Sequence, residues 1–138
     1  MWEFLSLSWG LAKLKLAILN GEYAVHRFAP ESDIPADVLK GNFLSIACTE
    51  DELSIVCDTQ LSLNSDLSET GWACIKVLGP LDFGLTGILA RIASVLAEAE
   101  ISIFAISTYD TDYILVKQEK LAVAKEVLSQ AGYAFTSI

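Results

Sequence analysis

Residues 72–116 read WACIKVLGPLDFGLTGILARIASVLAEAEISIFAISTYDTDYILV, and the fold class follows from them. Residues 72–78 are a short apolar run stopped by Gly79-Pro80, the pattern of a buried strand and its end. After the loop LDFGLTG, Ile88, Leu89, Ile92, Val95, Leu96 and Ala99 recur at helical spacing, while Arg91, Ser94 and Glu98 fall on the other side. Thr86 stands where an N-cap belongs. Residues 101–108 then read as a strand, residues 109–112 as a turn, and residues 113–116 as the returning strand of a hairpin.

Moving toward the C-terminus, residues 119–131 carry an apolar stripe of Leu121, Ala124, Leu128 and Ala131, with Gly132 placed to stop a helix. Residues 133–138 supply a last strand. The order is βαββαβ, the ferredoxin-like pattern. Both faces of strand 101–108 are apolar, with Ile101, Ile103 and Ala105 on one and Phe104 and Ile106 on the other. Two helices cover only one face of such a sheet, so the first half of the chain or a second copy must cover the other. A homodimer is the expectation, and a monomeric mass in light scattering would refute it.

Toward the N-terminus, Leu14, Leu16 and Ile18 alternate with Lys13, Lys15 and Ala17 as in a strand with one wetter face. Asn20-Gly21 is a hairpin turn signal, and residues 22–28 are the return strand. A short Pro-flanked helix at 34–40 follows, then strands at 43–48 and 53–57 around the acidic turn TEDE. Residues 58–71, rich in Ser, Asp and Asn, read as a linker. The expected organisation is two α+β units, residues 1–68 and 69–138.

Composition excludes several functions. Hydrophobic residues are 53% and charged residues 20% of the 138, which is a globular balance and not a disordered one. The net charge of −9 comes without a Lys/Arg patch, which disfavours nucleic acid and anionic membrane surfaces as partners. The apolar N-terminal stretch holds Glu3, Lys13 and Lys15 and lacks a small-residue cleavage site, so neither a secretion signal nor a spanning helix is expected. Cys48, Cys57 and Cys74 form no CxxC and have a single histidine, His26, for company. Buried reduced thiols in a cytoplasmic protein are expected, with no metal and no cofactor. No nucleophile elbow, phosphate-binding loop or HExxH occurs, so no enzymatic activity is expected.

The stretch GILARIASVLAEAEISIFAIS at 87–107 resembles an ACT domain, a ligand-sensing module attached to many enzymes of amino-acid metabolism. Extended to residues 71–116, and with FLSIACTEDELSIVCD at 43–58, the sequence is similar to a narrower group. These are the tandem ACT proteins related to the cytosolic arginine sensor of animals. The resemblance spans residues 13–138. It implies two ferredoxin-like ACT units with antiparallel sheets joined side by side, and an amino acid held between units in a regulatory, non-catalytic protein. A regulated protein partner is also implied. The general ACT loop carries Asp-x-x-Gly just before its helix; here Asp82, Phe83 and Gly84 stand earlier and Leu85, Thr86 and Gly87 intervene.

An amino acid presents a carboxylate and an ammonium. Free N–H groups in the 84–88 region suit the carboxylate, and Gly84 and Gly87 allow close backbone approach. The same glycines also serve a tight turn. The ammonium calls for a carboxylate, with Asp112 first and Asp82 and Asp110 behind it; turn aspartates also form local backbone bonds. Ser107 and Thr108 end the preceding strand, where they can bond a ligand or cap the hairpin. Thr49, Glu52 and Ser54, with Glu50 and Asp51, are the candidates from the first half, where an acidic turn is also ordinary solvated surface. The alternative to a sensor is an assembly module that binds no metabolite.

Overall fold

The computed structural model describes residues 14–78 and 87–137. Its elements are strands β1 (Lys15–Ile18), β2 (Tyr23–Phe28), β3 (Ser45–Cys48), β4 (Leu53–Asp58) and β5 (Leu67–Val77), helix α1 (Ile88–Glu98), strands β6 (Phe104–Ser107) and β7 (Asp112–Lys117), helix α2 (Leu121–Gln130) and strand β8 (Ala134–Phe135). Two compact units emerge, residues 20–72 and the remainder. They are not the two consecutive halves that the sequence suggests, because β1 is hydrogen-bonded to β5 and β8 in the second unit. No described helix is long and apolar enough to cross a membrane.

In residues 20–72, β4 lies between β3 and β2, and β2 also pairs with the first part of β5. The segment read as a linker therefore ends at residue 66: Leu67 onward is strand. Ser, Glu and Thr at 68–70 are exposed, so this part of β5 shows no burial signature in sequence. The helix expected at 34–40 is a single 3₁₀ turn, Ala36–Lys40. Its Val38 packs with Phe28, Leu53, Ile55 and Cys57 in this unit's core. Gly21 at φ +99° makes the turn after β1. Tyr23 Oη lies 2.8 Å from the Asn20 carbonyl oxygen and 3.0 Å from Asn42 Oδ1, which ties that turn to the loop before β3.

The second unit has the expected βαββαβ order in β5, α1, β6, β7, α2 and β8. Its strands run β6-β7-β5-β1-β8, so β1 is inserted beside β5 where a plain ferredoxin-like sheet would place its last strand. β1 runs antiparallel to β5 and parallel to β8. Helix α1 buries Ile88, Ile92 and Leu96, and α2 buries Ala124 and Leu128. They meet Leu14, Leu16, Ala73, Ile75, Val77, Ile114 and Val116 in one core. Each aliphatic side chain so buried contributes about 1.5–3 kcal/mol. On the other side of the same strands Ala17, Cys74 and Leu115 are buried as well, so these positions need no second copy to cover them. The strand expected at 101–108 is regular only from Phe104, and the one expected at 133–138 only at Ala134–Phe135.

Candidate ligand site

The β6–β7 hairpin gathers Ser107, Thr108 and Asp112. Ser107 and Asp112 are a cross-strand pair, and the Ser107 hydroxyl donates to Asp112 Oδ1 at 2.6 Å. Thr108 N–H donates to the Thr111 carbonyl at 2.8 Å. The Thr108 hydroxyl donates to that carbonyl at 3.0 Å. Thr111 is 5% exposed and its hydroxyl donates to the Val77 carbonyl at the end of β5. This bond anchors the hairpin tip beside the point where the chain leaves β5 toward α1. Sequence reading treated Thr111 as an ordinary turn residue; the buried polar contact that fixes it has no local signature.

Asp82, Phe83, Gly84, Leu85 and Thr86 lie outside the described residues, as does the N-cap role expected of Thr86. Gly87 is described: it has φ +77° and stands at the N-cap of α1 with no side-chain cap bond. Gly87 itself offers the leading N–H groups of α1 no side-chain acceptor, and these groups carry the positive end of the helix dipole.

Thr49, Glu52 and Ser54 belong to the other unit. Thr49 Oγ1 accepts from the N–H groups of Asp51 and Glu52, both at 3.1 Å, and Thr49 N–H donates to the Glu52 carbonyl at 2.9 Å. The acidic turn is closed by its own bonds, and Arg27 adds one to the Asp51 carbonyl at 3.1 Å. Ser54 lies within β4, opposite Arg27 and Ala47.

A cleft of about 460 Å³ opens on the helical side of the second unit, lined by Gly87, Ala90, Arg91, Ser94, Val95, Ala131 and Tyr133. Arg91 reads in the sequence as the outer, solvated side of the helix. In the structure its Nη1 lies 3.7 Å from where a Cβ on Gly87 would stand, so the guanidinium folds back over the start of α1. Tyr133 is 3% exposed, with its hydroxyl buried beside Arg91. Burial raises the Tyr133 phenol above its ordinary pKa, while the neighbouring Arg91 charge and a side-chain hydrogen bond with Arg91 pull the other way. The spacing of four residues from Gly87 to Arg91 is the one sequence signal for this contact.

The remaining polar groups have structural roles. His26 is 6% exposed, its Nδ1 lies 2.8 Å from Ser65 Oγ, and its ring tilts over Phe28 at 6.3 Å. Cys57 and Cys74 are buried as expected, but Cys48, the last residue of β3, is exposed. No group of three or more metal-ligating side chains occurs among the described residues.

Residues 67–130 match the ACT domain family, and residues 21–61 match a second family described as an N-terminal domain. The chain is 38% identical over 96 residues to the cytosolic arginine sensor for mTORC1 subunit 1 of Homo sapiens, a match covering 64% of this chain and 29% of that protein. The chain thus spans less than a third of the length of this curated relative. A crystal structure of an Agrobacterium tumefaciens protein superposes with a TM-score of 0.83 at 38% identity, over 91% of this chain and 93% of that one. The regulatory subunit of aspartate kinase from Thermus thermophilus shares the fold at a TM-score of 0.60 and 12% identity, over 84% of this chain and 96% of its own. With β5 through α2 matched at residues 67–130 and the sensor's sequence aligned over 96 positions, this part of the chain is an ACT domain.

Proposed function

We propose that this chain is a non-catalytic, cytoplasmic regulatory module that binds an amino acid where one ACT unit meets another. The observation that carries the reading is the Ser107–Asp112 pair, next to Thr111, whose hydroxyl reaches the Val77 carbonyl at the end of β5, in a unit that matches the ACT family. In this reading Asp112 takes the ammonium or a basic side chain. The start of α1 at Gly87, with the loop of Asp82, Phe83, Gly84, Leu85 and Thr86, takes the carboxylate. Ser107 and Thr108 add hydroxyls. Thr49, Glu52 and Ser54 supply polar contacts from the first unit, Glu52 and Ser54 more readily than Thr49, whose oxygen serves its own turn.

The tandem arrangement, a homodimer and a regulated protein partner belong to the same proposal. Arginine is the first ligand to examine, because a curated relative is named as a sensor of it. A ligand that shifts domain geometry acts only through different contacts in two states.

The test is a thermal-shift screen of the full chain against the twenty amino acids at millimolar concentration. A ligand present at about a hundred times its Kd adds roughly 2.7 kcal/mol. One clear hit supports the sensor reading. A flat panel, together with partner capture that depends on an intact β6 edge at Phe104, favours the assembly module.

A further inference from the structure

We propose that Asn20 is a site of spontaneous deamidation, which the fold promotes through two hydrogen-bond donors gathered on the Asn20 carbonyl oxygen.

Asparagine is thermolabile because the backbone nitrogen of the next residue can attack its side-chain carbonyl carbon. The asparagines of this chain are Asn20, Asn42 and Asn64, followed by Gly21, Phe43 and Ser65. Gly21 alone of these followers has no Cβ to crowd the attack. Asn20 and Gly21 are both exposed, so water reaches the pair. Gly21 stands at φ +99°, a conformation that a side chain there would strain.

The attacking species is the Gly21 nitrogen after loss of its proton. Its negative charge is shared with the Asn20 carbonyl oxygen, because both atoms belong to one resonant peptide unit. Tyr23 Oη lies 2.8 Å from that oxygen and Asn42 Nδ2 lies 3.4 Å from it. Tyr23 Oη is also 3.0 Å from Asn42 Oδ1. When the Tyr23 proton turns to Asn42, the Asn42 amide still donates to the carbonyl. Tyr23 is fully buried, which holds its hydroxyl in place. Donors preorganised around an oxygen that gains charge lower the barrier to forming that charge. The Asp58 carboxylate works against it, with Oδ2 3.7 Å from where a Cβ on Gly21 would stand. The donors touch the charged oxygen itself, whereas Asp58 faces the neighbouring Cα, so the donors dominate.

The reaction needs only water. Hydroxide takes the Gly21 proton, the nitrogen bonds to Asn20 Cγ, and the Cγ–Nδ2 bond breaks. Nδ2 leaves as ammonia with a proton returned by water. Water then opens the cyclic imide at either carbonyl, giving aspartate or isoaspartate at position 20. Both add a negative charge beside Asp58, and isoaspartate also lengthens the main chain just ahead of β2.

This site is independent of the amino-acid reading, since it uses no residue of the hairpin or of α1. The experiment incubates the native full chain at mildly alkaline pH and follows the tryptic peptide Leu16–Arg27 by mass spectrometry. Isoaspartyl methyltransferase labelling identifies the isoaspartate. Asn20 is expected to convert at least about tenfold faster than Asn42 or Asn64, whose following residues carry a Cβ. Tyr23→Phe removes one donor and should slow the conversion about threefold or more. A tie that merely restrains the turn predicts the opposite, since a looser turn lets the side chain reach the nitrogen more often. Asn42→Asp, at an exposed position that the fold tolerates, removes the other donor and draws the Tyr23 proton to a carboxylate. It should slow the conversion as well. An unchanged or faster rate in Asn42→Asp overturns the proposal, as does a faster rate in a folded Tyr23→Phe. So does a native chain in which Asn20 converts no faster than Asn42 and Asn64.

Discussion

Ser107 and Asp112 face each other across the β6–β7 ladder and share a 2.6 Å hydrogen bond, so Asp112 has a partner within the hairpin before any ligand arrives. The two roles separate by substitution. Asp112→Ala removes the acceptor and should cost about 0.5–1.5 kcal/mol of stability. Asp112→Asn keeps an acceptor and loses only the charge, so it should cost less. Both should abolish the thermal shift produced by an amino acid. Melting curves with and without ligand read both effects. Full retention of the shift in Asp112→Asn would remove the carboxylate's charge from ligand binding.

Glu100 and Gly132 occupy equivalent places at the ends of α1 and α2. In each case the next N–H reaches back five residues, Ile101 to the Leu96 carbonyl at 3.0 Å and Tyr133 to Leu128 at 3.1 Å. The stop residue itself is left-handed, at φ 60° for Glu100 and φ 106° for Gly132. A side chain in that conformation costs about 1–2 kcal/mol, offset in part by the greater chain entropy that glycine adds to the unfolded state. Glu100→Gly should therefore stabilise the protein by about 0.5–1 kcal/mol, and Gly132→Ala should destabilise it by about 1 kcal/mol. Chemical denaturation midpoints at constant slope report both.

The same pair shows what was legible in the sequence. Gly132 announced the end of α2 because glycine marks a left-handed stop, whereas Glu100 gave no such mark and α1 still ends there. Helical and alternating apolar periods located α1, α2, β7 and the βαββαβ order, since burial on one face is written in those periods. The start of β5 was hidden because its Ser, Glu and Thr face solvent. Of the candidate site, Ser107, Thr108 and Asp112 were found through the turn chemistry of one hairpin. Arg91 and Tyr133 were not, because 42 positions separate them and only packing brings both to one cleft.

The three thiols should divide by burial. Cys48 is exposed, while burial pushes the Cys74 thiol up to about 12 and raises Cys57, with the Asp58 charge adding to the latter. Only a thiolate attacks a disulfide reagent. At pH 8 the folded protein should show one fast-reacting thiol, lost in Cys48→Ser, and two that react only as fast as the chain opens. Three fast thiols would contradict the burial of Cys57 and Cys74.

His26 is the chain's single histidine, so its ring protons can be followed by NMR without ambiguity. Burial lowers its pKa below the ordinary 6.5. Between the folded value and 6.5 the unfolded chain binds more protons than the folded one. Stability present above pH 6.5 is thus lost as the pH falls through the folded value. The titration midpoint should lie below 6.5, and His26→Asn should flatten the stability profile in that window. A midpoint at or above 6.5 would show that the ring is not buried away from water.

The inserted strand β1 gives the sharpest test of the fold. Leu16 is fully buried, pairs with Val77 on one side and Phe135 on the other, and packs in the core beneath α1 and α2. Leu16→Ala should cost about 2–5 kcal/mol, against less than about 0.5 kcal/mol for Lys15→Ala at the exposed neighbour. Urea denaturation followed by circular dichroism measures both. If Leu16→Ala costs as little as Lys15→Ala, then β1 is not part of that core, and the unit built on β5 to β8 would close its sheet without the N-terminal strand.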